Sequence, residues 1–114
     1  MQKQNYKGRC EKISLKKSSE PCRTYSPIQL VYARELDTND DIKEISCNVL
    51  LDDFSEGAYT TDFVCTKSNG DLMIRECVFR KFLTKPKTIK LLDASCKYWF
   101  CKGISDWGIV IDAE

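Results

Sequence analysis

The segment YTTDFVCTKSNGDLMIRECVFRK (Tyr59 to Lys81) alternates apolar and polar residues on either side of Ser-Asn-Gly-Asp. It reads as two antiparallel strands joined by a tight turn. The length of that turn constrains the fold more than any other feature, because a one-residue slip moves every side chain to the opposite face. A two-residue Asn-Gly loop opposes Asp62 to Cys77 and sends Glu76 to the other side. A three-residue loop of Ser68, Asn69 and a left-handed Gly70 opposes Asp62 to Glu76. Both loops are allowed, and only the second brings two carboxylates together. On the later strand the period of two places Leu72, Ile74, Glu76, Val78 and Arg80 on one face.

The flanking sequence supplies the other elements. In SPIQLVYARELD, Ser26 suits an N-cap, Pro27 the first helical position and Gln29 the polar position of a capping box. The apolar face expected of this helix is Ile28, Leu30, Val31 and Leu36. IKEISCNVLL alternates at Ile45, Cys47, Val49 and Leu51, as a half-buried strand does. The longest helix is expected from Lys85-Pro86 to Gly103, with a stripe of Ile89, Leu92, Cys96 and Trp99 toward the sheet. DWGIVID completes the chain as a buried strand. The order α-β-β-β-α-β predicts an α/β layer with a meander and one crossover helix, hence a mixed sheet.

Length and composition limit what this sheet can carry. A chain of 114 residues builds one core. No run approaches the roughly 20 apolar residues of a membrane span, and the basic start of the chain lacks a signal-peptide core, so a cytoplasmic location is expected. Histidine is absent, which excludes a histidine base or a His-ligated metal. The seven cysteines are odd in number and include no C-x-x-C pair; they are expected to be reduced and mostly buried. Residues 1–25 carry seven Lys/Arg against two Glu, and residues 26–66 carry two basic against nine acidic groups. The first segment is therefore expected to be a basic arm, with Lys16-Lys17 its best phosphate contact, and residues 26–114 the folded domain.

An Asp near a strand start, with a Glu fourteen residues on in the adjacent strand, is the layout of nucleases that hold Mg²⁺ between carboxylates. The block KPKTIKLLDASCKYWFCKGISDWGIVID extends the likeness. It closely resembles the end of the N-terminal domain of the TnsA endonuclease family, through Lys85-Pro86, Lys97-Tyr98-Trp99, Gly103 and Trp107. Thr61-Asp62-Phe63, the helix opening from Ser26 to Gln29 and the stretch from Asp37 to Ile45 are similar to further parts of that family. The resemblance implies a restriction-endonuclease-like (PD-(D/E)xK) fold, a role in cutting double-stranded DNA at transposon ends, and work beside a DDE-type transposase subunit and an ATPase regulator. Full-length members commonly add a C-terminal domain.

Carried across by position, the resemblance gives Asp62 and Glu76 as catalytic residues and Mg²⁺ ligands. Gln29 stands where the family has a helix glutamate, Asn48 where it has a first-strand glutamine, and Val78 where it has a lysine. Arg80, two residues beyond Val78, is the replacement considered for that lysine, although an arginine is a poor base; Lys90 is a remoter one. Lys85 and Lys87 join Lys16 and Lys17 as candidate DNA contacts. Three readings follow: an Mg²⁺-dependent nuclease, a non-catalytic nuclease-fold subunit acting in DNA contact or assembly, and an unrelated small α/β interaction domain. Trp99 and Trp107 are expected to be core.

Overall fold

The computed structural model describes residues 10–112; the part of the basic arm before Cys10 lies outside the described residues. The elements are β1 (Glu11–Ile13), β2 (Cys22–Thr24), α1 (Pro27–Thr38), β3 (Ile42–Leu50), β4 (Thr60–Lys67), β5 (Leu72–Val78), a 3-10 turn (Arg80–Phe82), α2 (Pro86–Cys101) and β6 (Trp107–Ile111). From α1 onward this is the expected order. β3, β4 and β5 form an antiparallel meander, and β6 returns through α2 to lie parallel to β5, giving a four-stranded mixed sheet. No helix among the described residues is long and apolar enough to cross a membrane.

The hairpin adopts the longer loop. Thr66 pairs with Leu72, and the Lys67 N–H donates to the Asp71 carbonyl, leaving Ser68, Asn69 and Gly70 as the loop. Gly70 sits at φ +94°, a conformation that a side chain disfavours. The sheet is covered on both faces. Phe63, Cys65, Met73 and Cys77 pack with Ile28, Ala33 and Leu36 of α1, while Ile74 and Val64 pack with Trp99 of α2.

Both helices are rotated from their expected phase. α1 buries Ile28, Gln29, Ala33 and Leu36, and Val31 is 58% exposed. α2 buries Thr88, Leu92, Ser95 and Trp99, and Ile89 is 52% exposed. In each case a polar residue, Gln29 or Ser95, has displaced an apolar one from the inner face, because a buried carboxylate across the interface binds it. β6 also departs from expectation: it is an edge strand with Ile109 and Ile111 exposed. β5 ends at Val78, where its partner β6 ends at Ile111, so Arg80 lies on the 3-10 turn and does not share the strand face of Glu76.

Segment 10–25 is more ordered than an extended arm. β1 and β2 pair as a small ribbon, and Leu15 and Cys22 enter the α1-side core. The backbone N–H groups of Lys16 and Lys17 donate to Asp37, and the Lys17 ammonium donates to the Leu36 and Asn39 carbonyls at the end of α1. That is the end of a helix dipole at which a cation is stabilising. At the far end of α2, Gly103 at φ +84° lets its own N–H reach the Phe100 carbonyl and that of Ile104 reach Trp99. Replacing Gly70 by alanine is expected to lower stability by about 1 kcal/mol in urea unfolding, with an unchanged m-value.

Candidate functional site

Asp62 and Glu76 are both fully buried, and they meet where β4 and β5 stop pairing as ordinary strands. The last regular pair of that ladder is Phe63 with Arg75. One step further, side chains take over as acceptors. The Asp62 N–H donates to Glu76 Oε1 at 3.0 Å, and the Cys77 N–H donates to Asp62 Oδ2 at 2.6 Å. On the other side of β4, Asn48 occupies φ +52° between the regular pairs Cys47–Phe63 and Val49–Thr61. Asparagine is among the few residues that tolerate this region.

The two carboxylates lean into opposite layers of the domain. Asp62 faces α1, whose Gln29 donates from Nε2 to Asp62 Oδ1 at 2.9 Å and to Asn48 Oδ1 at 3.1 Å. Gln29 Oε1 in turn accepts from the Tyr25 N–H at 2.7 Å, and the Gln29 N–H reaches the Ser26 hydroxyl at 3.3 Å. The capping arrangement that starts α1 therefore also aims its carboxamide at the aspartate. Asn48 Nδ2 donates to the Arg23 carbonyl at 2.7 Å, tying the β1–β2 ribbon to the same cluster.

Glu76 faces α2 and is surrounded by hydroxyls. Its Oε2 accepts from Tyr59 (2.9 Å), Thr61 (3.1 Å) and Ser95 (2.6 Å). Two indoles stand behind these hydroxyls: Trp99 Nε1 donates to Thr61 Oγ1 at 3.0 Å, and Trp107 Nε1 donates to Ser95 Oγ at 3.1 Å. Thr61 and Ser95 each accept from an indole and donate to Glu76. With the Asp62 N–H, four donors meet one carboxylate, about the number its lone pairs accommodate.

Burial, followed by the neighbouring Asp62 charge, pushes the Glu76 carboxyl up to about 7, opposed by the hydrogen bonds from Ser95 and the Asp62 N–H. Burial likewise raises Asp62, opposed by the Cys77 N–H. Tyr59 is also raised, by burial and by the Glu76 and Asp62 charges, and so remains a phenol that donates.

Three of the residues singled out in the sequence, Gln29, Asp62 and Glu76, thus converge, and Asn48 joins them. The others do not. Val78 is buried and apolar, and Arg80 is exposed, with its backbone N–H on Asp112. Lys85 and Lys87 are exposed at the start of α2. Lys90 is paired with Glu56. Trp99 is a core residue as expected, Trp107 is half-buried against that core, and the indole N–H groups of both belong to the site. The sequence pattern does not mark Tyr59 or Ser95 as site residues, and it marks Thr61 only as part of Thr61-Asp62-Phe63, although a serine on the inner face of a helix, like any buried hydroxyl, requires a partner.

All seven cysteines are free thiols. Among the described residues, no group of three or more His, Cys, Asp or Glu side chains is arranged to hold a metal ion. An open cleft of about 690 Å³ lies between the Asp52–Glu56 loop and α2 and includes neither Asp62 nor Glu76.

No protein-family model matches the chain, and no curated protein matches it either.

Because the folded-state value for Glu76 lies above the 4.5 of an ordinary glutamate, the folded chain binds this proton more tightly than the unfolded one. Its contribution to stability is therefore complete below about pH 4.5 and is lost as pH rises through about 7. The melting temperature is expected to fall between pH 5 and 8, and Glu76→Gln to flatten that fall; thermal melts across the range check both. Ser95→Ala, which removes one donor and strands the Trp107 indole, is expected to cost about 1–3 kcal/mol in urea unfolding.

Proposed function

We propose that this domain is a TnsA-like, restriction-endonuclease-like subunit of a DNA transposition machinery, acting on double-stranded DNA at transposon ends beside a DDE-type transposase and an ATPase regulator. The observation that carries this reading is convergence. Gln29, Asp62 and Glu76, the three positions that the resemblance assigns to the active site, are separated by 33 and 14 residues in sequence yet form one hydrogen-bonded cluster. The aromatic residues of the resembling block, Trp99 and Trp107, reach that cluster through Thr61 and Ser95. The α-β-β-β-α-β order with a mixed sheet is consistent with the same fold family.

Within that reading the donor set favours the non-catalytic role. An Mg²⁺-dependent nuclease needs carboxylate oxygens open to a hard cation and a group that activates or orients water. Here the oxygens of Glu76 accept four hydrogen bonds, Gln29 offers Asp62 an N–H group, and Val78 offers nothing to water. The residues present do not fit the metal. The domain is accordingly read as a nuclease-fold subunit that contacts DNA and supports assembly.

A basic ridge supplies the contact. Between Glu76 and Asp93 the chain carries Arg80, Lys81, Lys85, Lys87 and Lys90 and no acidic residue. The Lys81 ammonium lies 5.6 and 5.2 Å from the ring centres of Phe79 and Phe82, and that of Lys85 lies 4.6 Å from Phe82. The rings pre-position two cations at the start of α2. This ridge is better placed for phosphate than Lys17, whose ammonium is engaged at the end of α1.

Fluorescence anisotropy with a labelled duplex tests the reading. The double variant Lys85→Glu/Lys87→Glu is expected to weaken binding by about 10-fold or more and to reduce its salt dependence. Supercoiled and linear DNA are expected to stay intact in Mg²⁺ or Mn²⁺. Nicking that Asp62→Ala abolishes would restore the endonuclease role, and duplex binding indifferent to both lysines would remove the DNA ridge.

A further inference from the structure

The seam between the β1–β2 ribbon and β3 holds two thiols that neither the carboxylate cluster nor the basic ridge uses. The ribbon segment is tied to β3 at two points. The Ile45 N–H donates to the Lys17 carbonyl at 3.0 Å, and Asn48 Nδ2 donates to the Arg23 carbonyl at 2.7 Å. Immediately before Arg23 stands Cys22, the first residue of β2, and immediately before Asn48 stands Cys47 of β3. Cys22 is buried in the α1-side core, and half-buried Cys47 packs against the same core. The two thiols hydrogen-bond to each other.

A buried cysteine is ordinarily a small apolar residue and chemically quiet. Cys65 and Cys77 fit that description: burial pushes the Cys65 thiol up to about 12 and raises Cys77 as well. Cys22 differs. The hydrogen bond from Cys47 draws its thiol below the ordinary cysteine value, against burial and the Asp62 charge. The same bond, followed by burial, raises Cys47, which keeps its proton and donates it. Two sulfurs are thus in contact, one of them poised to lose its proton and the other nearer to solvent. Among the described residues no third ligand is arranged with them to hold a metal ion. Bond formation between the sulfurs is the chemistry that their contact offers.

We propose that Cys22 and Cys47 form a reversible disulfide when the folded chain meets a hydroperoxide, and that this bond fastens the β1–β2 ribbon to β3. A thiolate of the pair attacks one peroxide oxygen. An S–O bond forms, the O–O bond breaks, and the other oxygen takes up a proton and leaves as water or an alcohol. The second sulfur then attacks the sulfenic acid. An S–S bond forms, the S–O bond breaks, and the hydroxyl leaves as water with the second thiol's proton. The sulfur pair is oxidised by two electrons and the peroxide reduced by two; a dithiol reverses the bond by exchange. The closed loop contains all of α1 and links the ribbon covalently to the sheet. Such a loop narrows the unfolded ensemble, so oxidation stabilises the domain.

The experiment treats the whole chain with millimolar hydrogen peroxide, quenches it, alkylates it in denaturant and maps the peptides by mass spectrometry. Wild type is expected to yield one peptide pair joined through Cys22 and Cys47 and released by dithiothreitol. Its melting temperature is expected to exceed that of the reduced chain by about 5 °C or more. Cys47→Ser, at the more exposed of the two positions, is expected to lose both the bond and the rise. Cys10→Ser/Cys96→Ser/Cys101→Ser, which removes the other thiols that solvent reaches, is expected to keep both.

Cys22 and Cys47 both alkylated after peroxide, or either carried on to sulfinic acid without a bond, would overturn the pair. A bond from Cys22 to Cys65 or Cys77 would do the same, as would a Cys22–Cys47 bond that forms in urea and not in the folded chain. A native bond that leaves the melting temperature unchanged, or lowers it, would overturn the fastening role. Mapping of wild type decides the first question whether or not the serine variants fold. Failure of the DNA reading would show in anisotropy alone and leave these measurements untouched.

Discussion

Where β4 and β5 part, two carboxylates act as backbone. Glu76 Oε1 accepts the N–H of Asp62, and Asp62 Oδ2 accepts the N–H of Cys77. A buried N–H without an acceptor is costly, so strands cannot separate inside a core unless something replaces the missing carbonyls. The side chains of 62 and 76 do so reciprocally. Once they serve as ladder acceptors, each has further oxygen capacity directed into one helix layer. The positions of both helices follow from how that capacity is met.

On the α1 side Gln29 contributes to meeting it. Gln29 is the third residue of the helix, where a capping box places a side chain that folds back over the helix start. The same geometry brings its amide to Asp62, so the start of α1 and its seating on the sheet are set together. On the α2 side it is met by three hydroxyls, of which Ser95 belongs to the helix and Tyr59 and Thr61 to the approach and start of β4. Trp99 and Trp107 donate into two of these hydroxyls, which joins the end of α2 and the first residue of β6 to the same glutamate. Asp106, immediately before β6, is held by Lys67 and Arg75, and that ion pairing draws its carboxyl below the usual range. The edge strand is thus anchored from both layers at its beginning, although Ile109 and Ile111 beyond it are exposed.

Local chemistry made much of this legible in the sequence. Ser26, Pro27 and Gln29 mark the start of α1, Gly103 marks the end of α2, and Ser-Asn-Gly limits the hairpin to two loops, one of which puts Asp62 and Glu76 together. The phase of the helices was not legible, because an apolar-stripe argument assigns Val31 and Ile89 to the inside and leaves Gln29 and Ser95 out. Burial here is decided by hydrogen bonding to carboxylates that arrive from strands far away in sequence, and helical periodicity carries no information about that. The position of Arg80 is hidden for a related reason: a period of two does not reveal that the partner strand ends opposite Val78 and that the chain turns there.

The cluster also separates two properties that resemblance to a nuclease tends to merge. The aspartate, the glutamate and the two tryptophans hold the strand junction and both helices through hydrogen bonds, so folding alone explains their presence. A lysine two residues after the glutamate and a charged residue at the helix start have no such structural task. At those positions the chain carries buried Val78, which adds apolar packing, and Gln29, which adds a hydrogen bond. Against the pattern that the resemblance implies, the residues that serve both stability and chemistry are present, and the positions that would serve chemistry alone carry residues that serve stability. On the proposed nuclease-fold reading, that division gives the carboxylates the task of holding the strand junction and the helices together.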